Sequence, residues 1–437
     1  MILDMSSMDP AREFATDVVR RLKAAGHVAL WAGGCVRDLQ MGREPQDYDV
    51  ATDARPEQVR ELFGRRKTLA VGESFGVVIA LGPRAGGQHI KVEVATFRSE
   101  GSYPDGRRPD PEQIRFTTPR EDAQRRDFTI NGMFFDPLAE QLADYVGGEQ
   151  DLRAGIVRAI GRPQDRMQED KLRMLRAVRF AATLDFELDP QTASAVEELA
   201  PELGVVSVER ITQELHKMLV NRHRRRAVRL SQQLGLLSVI LPELDAGAAD
   251  AAAWSHVLDM LDQLESPRFE LALATLLQHL APIGGGSKRD RDRQGTVAGV
   301  ARRLKLSNAQ ADRTVWLVAH QHDLAEAETL PLSKLKRILS HEYADDLLRW
   351  MHADQAARRS SSAALEFVER FLQSTPAEEL NPLPLITGAD LIALGLQPAR
   401  RFQMLLEQAR DAQLEGRIAT REDAKELVRQ LSESNQR

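Results

Sequence analysis

The spacing of hydrophobic and polar residues divides the chain into two parts of different character. Up to about residue 160, short β-branched runs alternate with glycine- and proline-containing turns, and HVALWAGG, FGVVIAL and IKVEVATF are predicted to be strands. In the last of these, alternate positions share a face, so Glu93 lies on the opposite face from the apolar Val92 and Val94. The pattern predicts a small mixed sheet.

From about Asp165 onward, apolar residues recur every three or four positions instead. EDKLRMLRAVRFAATL and VERITQELHKML have this helical period, and strand-like alternation almost vanishes. PIGGGSKRDRDRQG is predicted to be a flexible surface loop, and the final SESNQR is predicted to be disordered. The predicted fold class is therefore α+β, a small mixed sheet followed by an all-helical remainder.

Composition narrows the possible classes of protein. A chain of 437 residues that is 28% charged and 42% hydrophobic is typical of about two to four domains with real cores. The single cysteine, Cys35, excludes an intrachain disulfide framework and a cysteine-rich zinc site. A formal net charge of -6 argues against a surface coated in basic charge for indiscriminate nucleic-acid binding. Without a signal-like segment or a run of about 18 apolar residues, we expect a cytoplasmic protein with no membrane segment, and no protein partner is evident.

The stretch PQDYDVAT places two aspartates, Asp47 and Asp49, two positions apart in a predicted strand. Side chains at i and i+2 leave the same face about 7 Å apart by backbone rise, which is close enough to share cations. Mg2+ prefers carboxylate ligands, and paired ions serve phosphoryl transfer. Glu93, which interrupts the strand-like KVEVATF, is the candidate third carboxylate. An isolated Asp-x-Asp is more often a turn or a solvated strand edge, so this interpretation depends on the residues upstream.

Upstream, LWAGGCVRDLQMG joins an apolar strand, two glycines and a helix start. Gly33 and Gly34 let the backbone approach a ligand closely, and the free N–H groups of a helix start attract anions. Arg37 lies in the first turn of the predicted helix. The arrangement predicts a phosphate cradle near the metal carboxylates, although a Gly-Gly pair alone is equally typical of a tight turn.

Six motifs together resemble a known family, the class II tRNA nucleotidyltransferases, which add CCA ends to tRNA, and their relatives the bacterial poly(A) polymerases. The resemblance covers Gly33 to about Leu219, with the motifs in family order: GGCVRDLQMGREPQDYDVAT, EVATFRSEGSYPDGRRP, RRDFTINGMFFDP, DYVGGEQDLRAG, EDKLRMLRAVRFAA and VERITQELHKML. It implies a nucleotidyltransferase head followed by helical neck, body and tail regions. We place the catalytic head at 1–155, the neck with a nucleobase-template motif at 156–222, a degenerate HD-like body at 223–360 and a tail that contacts tRNA at 361–437.

The resemblance also implies roles for individual residues of the head. Asp47 and Asp49 are expected to bind the cofactor Mg2+, and Glu93 to activate the 3′-hydroxyl of the primer. The incoming triphosphate is expected to contact the glycine turn through Gly33, Gly34 and Arg37. The segment RRDFTINGM is expected to contact the sugar and phosphates of the nucleotide through Arg126, Asp127 and Asn131, and Arg125 is a weaker candidate. Without the family, a surface salt bridge is the more ordinary interpretation of the two adjacent arginines. Gly132 stands where the family more often has alanine.

The stretch EDKLRMLRAVRF predicts how the base is chosen. On a helix, Asp170 and Arg173 are neighbours on one face, and Arg176 continues the row. An aspartate accepts an amino hydrogen from cytosine N4 or adenine N6, and an arginine donates to the adjoining ring acceptor. The carboxylate of the aspartate would repel a carbonyl oxygen at the same position, as in uracil or guanine. The resemblance implies that this motif is the protein template; a salt-bridged helix face is the alternative.

The predicted reaction is in-line attack of the tRNA 3′-hydroxyl on the α-phosphate of CTP or ATP, with pyrophosphate leaving. A poly(A) polymerase shares the head motifs, and enzymes that add only CC or only the final A share the template motif, so these alternatives stay open. A catalytically inactive RNA-binding protein is disfavoured because it has no reason to keep three costly clustered carboxylates. Cys35 has no evident histidine partner and is expected to be a small packed residue.

Outside these motifs the sequence predicts less. Arginines in NRHRRRAVRL are candidates to meet tRNA phosphates, with a solvated helix face as the alternative. The body has His256 of an HD phosphohydrolase pattern, but Gln278-His279 replaces the His-Asp metal pair, so we expect a helical scaffold. His320 and His322 are expected to lie at the surface. A head loop within Arg98–Gln113 is expected to govern the switch from C to A.

Overall fold

The computed structural model of the protein describes residues 9–70, 76–99, 115–244, 250–280, 288–397 and 400–434. The chain divides into two units, Met1–Pro242 and Glu243–Arg437. The predicted C-to-A switching loop lies almost wholly outside the described residues. In the described ranges, no helix combines the length and the apolar character that crossing a lipid bilayer requires.

A mixed sheet of seven strands forms the centre of the first unit. Its strands are β1 (Ala29–Ala32), β2 (Asp49–Thr52), β3 (Thr68–Leu69), β4 (Val77–Ala85), β5 (Gln88–Thr96), β8 (Phe134–Asp136) and β9 (Gln141–Ala143). Their order across the sheet is β3-β4-β5-β2-β1-β8-β9. Strands β2 and β5 run parallel, and every other neighbouring pair is antiparallel. Alternate burial along β5 places Val92 and Val94 in the core and exposes Glu93, as the alternation predicted. The mixed sheet is thereby confirmed.

Helices and two short ladders complete the first unit. The helices are α1 (Pro10–Ala24), α2 (Gly34–Gln40), α3 (Pro56–Phe63), α4 (Pro119–Arg125), α5 (Gly148–Ala154), α6 (Pro163–Glu169), α7 (Leu172–Leu184), α8 (Pro190–Leu199), α9 (Val208–Leu219), α10 (Arg224–Gln233) and α11 (Leu236–Ile240). The ladders pair β6 (Arg98–Ser99) with β7 (Arg115–Phe116) and β10 (Ile156–Val157) with β11 (Glu187–Leu188). The second ladder departs from the prediction of an all-helical neck, because Glu187 and Asp189 donate their backbone N–H groups to Gly155 and Val157.

Local sequence explains where helix α4 begins and which face of helix α9 is buried. Helix α4 starts at a capping box in which Thr118 and Glu121 satisfy each other's backbone N–H groups. Helix α9 buries Ile211, Leu215 and Met218, which are spaced for one face. It packs against α7, which is buried on most of its surface. This helical core holds the template motif.

The second unit contains only helical elements in its described residues. Its α-helices are Ala251–Gln263, Phe269–Leu277, Lys288–Arg303, Asn308–His320, Leu332–Leu339, Ala344–Arg358, Ala363–Ser374, Ala377–Leu380, Gly388–Ala393, Arg400–Leu414 and Arg421–Ser434. The prediction of a loop at PIGGGSKRDRDRQG is wrong from Lys288 onward, because its lysine, arginine and glutamine residues are good helix formers. Helix formation also reaches Ser434 within the predicted disordered end, and the last three residues lie outside the described ranges. The predicted boundaries at 155, 222 and 360 stay a prediction.

Candidate active site

Two carboxylates stand side by side on neighbouring strands of the sheet. Asp49 of β2 is in register with Glu93 of β5, and both side chains are exposed on the same face. Neighbouring strands lie about 4.8 Å apart, so the two carboxylates are adjacent. The prediction that Asp47 also lies in the strand is wrong. Strand β2 begins at Asp49, and Asp47 lies in a bend before it.

The electrostatic environment of Asp49 favours a cation. Although solvent reaches the side chain, desolvation by the surrounding protein, the charge of Glu93 and, less strongly, that of Asp47 raise the pKa of Asp49 to about 6. The positive charge of Arg126 opposes this rise. Among the described residues, no three or more His, Cys, Asp and Glu side chains are grouped to hold a metal ion. The donor set still suits Mg2+, which usually takes one or two carboxylates and completes its shell with water and substrate phosphates.

A glycine turn lies beside these carboxylates, with two guanidinium groups above it. Gly33 has φ 73° and ψ -126°, a conformation that L side chains rarely adopt. A Cβ atom built on Gly33 would be 3.2 Å from Nη1 of Arg126, and one on Gly34 would be 3.8 Å from Nη2 of Arg37. The turn therefore leaves room for the guanidinium groups of Arg126 and Arg37 close to the backbone, and binding of a triphosphate by these residues stays a prediction.

A continuous hydrogen-bond network joins the glycine turn to the neck. Arg37 donates to Oδ1 of Asn131 at 2.8 Å, and Asn131 donates to Oδ1 of Asp127 at 3.2 Å. Oδ2 of Asp127 accepts two hydrogen bonds from Arg176, at 2.8 and 2.6 Å. Burial raises the pKa of Asp127, but the charge and hydrogen bonds of Arg176 outweigh it and hold the pKa at about 2. Asp127 is thus an ionised, buried link rather than a group facing solvent.

The adjacent arginines Arg125 and Arg126 share a partner that the sequence interpretation missed. Asp122, only 1% exposed, accepts from Arg125 at 2.7 Å and from Arg126 at 3.1 and 3.0 Å. It also accepts the backbone N–H of Arg98. The salt bridge that was the alternative interpretation exists, but it is buried, and it orients Arg126 over Gly33. Helical spacing of three and four residues was the available signal.

The template motif differs from its predicted geometry. Helix α6 ends at Glu169, and Asp170 has an extended backbone, φ -141° and ψ 103°, between α6 and α7. The prediction that it shares a helix face with Arg173 is therefore wrong. Asp170 accepts the backbone N–H of Leu172 at 3.1 Å, which satisfies a donor at the start of α7, and pairs with Arg210 at 2.7 Å.

The side chain of Arg173 has different partners from that of Asp170, although its backbone N–H donates to the carbonyl of Asp170 at 2.9 Å. It pairs with Glu169 at 2.6 Å and donates to the backbone carbonyls of Arg166 at 3.0 Å and Arg125 at 3.1 Å. Only 7% of the residue is exposed. The side chains of Asp170 and Arg173 are consequently fixed by different partners, and neither Glu169 nor Arg210 was assigned a role from the sequence.

Several secondary candidates have structural roles. Cys35 is buried, its thiol donates to the carbonyl of Ala32 at 3.3 Å, and desolvation raises its pKa to about 11, as expected of a packed residue. Arg224 is 2% exposed and donates to the carbonyl of Leu219 at 2.9 Å. Arg226 is bonded to Asp185, Glu187 and the carbonyl of Phe186. Burial therefore removes Arg224 as a candidate to meet tRNA phosphates, whereas for Arg226, which is only partly buried, that contact stays a prediction.

Three histidines of the second unit, His256, His279 and His320, form hydrogen bonds or ring contacts within the protein. His256 is hydrogen-bonded to Asp354 at 2.7 Å. His279 contacts the carbonyl of Ala253 at 3.1 Å. His322 is exposed, as expected, but His320 is half-buried and stacks on Trp316 with 4.3 Å between ring centroids.

Comparison with known proteins shows which protein family the chain belongs to. Residues 29–158 match the family model described as "Poly A polymerase head domain", and residues 185–247 match "Probable RNA and SrmB- binding site of polymerase A". The head is therefore a nucleotidyltransferase head. A CCA-adding enzyme of Bacillus licheniformis is 31% identical over 411 residues, covering 94% of this chain and 96% of the relative. The chain belongs to the family of class II CCA-adding enzymes and bacterial poly(A) polymerases.

Two further similar proteins differ in how much of this chain they cover. Poly(A) polymerase I of Salmonella typhi is 43% identical over 217 residues, which are 47% of this chain and 45% of that protein. A crystal structure of the Bacillus stearothermophilus CCA-adding enzyme in complex with CTP superposes with a TM-score of 0.75 and 26% identity. That superposition covers 98% of this chain and 99% of the other. The α+β architecture is confirmed.

Proposed function

We propose that the protein adds C and A nucleotides from CTP and ATP to the 3′ end of tRNA and releases pyrophosphate. The observation that carries this proposal is the register of Asp49 with Glu93 beside the glycine turn that Arg37 and Arg126 cover. Carboxylates next to a triphosphate cradle are what nucleotidyl transfer requires. Full-length similarity to a CCA-adding enzyme supports tRNA as the acceptor. The cytoplasm, where a lone reduced cysteine is ordinary, is the proposed location.

Different residues of the head have different roles in the proposed reaction. Asp47 and Asp49 would hold Mg2+, which when bound supplies positive charge to the phosphoryl oxygens and to the attacking and leaving oxygens. Glu93 stands next to them to orient the 3′-hydroxyl of the RNA and accept its proton. Arg37 and Arg126 bind the triphosphate through their guanidinium groups. The 3′-oxygen forms a bond to the α-phosphorus, and the bond from that phosphorus to the pyrophosphate oxygen breaks.

The start of the neck selects the base. A carboxylate only accepts hydrogen bonds, so Asp170 pairs with the amino group of cytosine or adenine and repels the carbonyl oxygen of uracil or guanine. Arg173 donates to the neighbouring ring acceptor. Their separate partners, Arg210 and Glu169, keep both side chains oriented before a nucleotide arrives.

Addition of A-tails to RNA is the second candidate, favoured by the match to the poly(A) polymerase head model and by the Salmonella typhi relative. The likeness to that relative covers about half of each chain, whereas the likeness to the CCA-adding enzyme covers nearly all of both. The wider coverage favours CCA addition.

The test uses three tRNA transcripts that end before the first C, after CC and after CCA. Purified protein and Mg2+ are incubated with each transcript and with CTP, ATP or both, and the added nucleotides are counted. Addition of C, C and A followed by arrest is expected. Long A-tails on the complete transcript would establish the poly(A) polymerase instead. Addition limited to CC or to the final A would establish a partial enzyme, and no incorporation would refute the proposal.

A further inference from the structure

Three arginines surround the aromatic ring of Phe180 in helix α7. The guanidinium carbon lies 5.3 Å from the ring centroid for Arg37, 5.2 Å for Arg176 and 4.0 Å for Arg179. Phe180 is only 6% exposed, and its ring meets Phe128 edge-to-face at 5.7 Å. A guanidinium over a desolvated aromatic ring is held more strongly than one in water.

The arginines come from different parts of the site. Arg37 belongs to the glycine turn of the head, where it covers Gly34. Arg176 reaches the head through its two hydrogen bonds to Asp127. Arg179 pairs with Glu214 of α9, in the neck. The ring of Phe180 is thus shared by the triphosphate cradle and the helix that carries the template motif.

The carboxylate partners of these cations are separate, and the ring of Phe180 is what the three have in common. Asp38 pairs with Arg37, Asp127 with Arg176 and Glu214 with Arg179, so each charge has its own partner. The charge of Arg176 nevertheless acts unfavourably on Arg179, whose pKa is lowered chiefly by desolvation. The aromatic ring provides a common, weakly polar surface on which the guanidinium groups can approach each other.

We propose that Phe180 is a positioning residue, whose ring holds Arg37 for the triphosphate and Arg176 for the template helix in one fixed relation. The inference rests on the proposed function and adds to it a residue that couples binding of the triphosphate to reading of the base. Phe180 acts through the arginines and contacts no reacting atom.

The test compares three variants in the full-length protein. Phe180→Leu removes the ring but keeps an apolar side chain, and Phe180→Tyr keeps the ring. Phe186→Leu is the matched control, because no guanidinium lies over Phe186 in the part of the chain that the structure describes. For each, KM and kcat for CTP and ATP, the ratio of kcat/KM for CTP over UTP, the equilibrium affinity for CTP and the melting temperature are measured.

Phe180→Leu is expected to raise KM for both nucleotides by roughly tenfold and to lower the CTP-over-UTP ratio by a similar factor, with a smaller change in kcat. Phe180→Tyr should restore KM and the ratio to within about twofold of the wild type. Phe186→Leu should lower the melting temperature and leave the kinetic parameters within about twofold.

The inference is overturned if Phe180→Leu lowers the melting temperature but changes KM and the nucleotide ratio no more than Phe186→Leu does. That result would leave the proposed function intact. If the wild-type protein adds no nucleotide at all, the proposed function fails, and the equilibrium affinities for CTP still decide the role of Phe180. An unchanged affinity in Phe180→Leu would then refute it.

Discussion

Gly33 lies directly beneath the guanidinium of Arg126, so close that a Cβ atom there would be 3.2 Å from Nη1. The backbone of Gly33 has a positive φ of 73°, and its N–H donates to the carbonyl of Met133. Both the turn and the arginine therefore depend on the absence of a side chain. The smallest residue in the site thus sets the position of the arginine that we propose binds the triphosphate.

Replacing this glycine should damage nucleotide binding specifically. Gly33→Ala strains the backbone and shifts the guanidinium of Arg126, and it is expected to raise KM for CTP by about tenfold, the loss of one charged hydrogen bond. Gly26→Ala is the control, since Gly26 also has a positive φ, 89°, but has open space around its Cβ position. Both variants should lose about 1–2 kcal/mol of stability. Equal KM values in the two variants would contradict this role for Gly33.

The ion pair between Asp127 and Arg176 should make stability depend on acid pH. The pKa of Asp127 is lowered from 3.8 to about 2, so its stabilisation is complete above pH 4 and is lost as the pH falls toward 2. Asp127→Asn leaves Arg176 without its carboxylate partner and should cost about 2–3 kcal/mol at pH 7. Urea unfolding at several pH values measures this difference, which should shrink below pH 4. A difference that is constant from pH 7 to pH 2 would exclude the mechanism.

Asp170 should control which bases are accepted. In Asp170→Asn the amide oxygen can still accept the N–H of Leu172, so α7 keeps its start, but the amide nitrogen donates to a carbonyl. We expect UTP to be incorporated and the preference for CTP over UTP to fall by about 10- to 100-fold. Single-nucleotide incorporation on a transcript that ends before the first C measures the ratio. Unaltered preference would mean that another group reads the base.

Cys35 should be chemically inert in the folded protein. Its thiol is 2% exposed and its pKa is about 11, so almost no thiolate is present at pH 8. Iodoacetamide at pH 8 should label the native protein negligibly and label one site per chain after unfolding in urea. Rapid labelling of the native protein would show that the glycine turn opens in solution.

The parts of the fold that depend on local pattern were predictable from the sequence. Alternation in β5 exposed Glu93 between buried valines, and the period of α9 gave its buried face. The break at Asp170 was not predicted, because apolar residues continue at helical spacing on both sides of it, at Met167 and Met174. The capping preference of aspartate was the only local signal.

Relations between distant residues were beyond pattern analysis. The burial of Arg224 depends on the carbonyl it meets at Leu219. The shared ring of Phe180 depends on an arginine from another motif. Family resemblance proposed the charged site residues, but it did not indicate which carboxylate or ring orients each of them.

The most direct test of the central claim is the single-turnover rate of AMP addition to a tRNA transcript that ends in CC, measured with Mg2+. Asp49→Asn and Glu93→Gln are compared with Asp53→Asn, an exposed aspartate just beyond the other end of β2 that bonds His27 and the N–H of Val28. We expect the first two to lose at least about 1000-fold in rate while binding ATP within a fewfold of the wild type, and Asp53→Asn to keep its rate. Rates near the wild-type value in Asp49→Asn and Glu93→Gln would contradict nucleotidyl transfer at this pair of carboxylates.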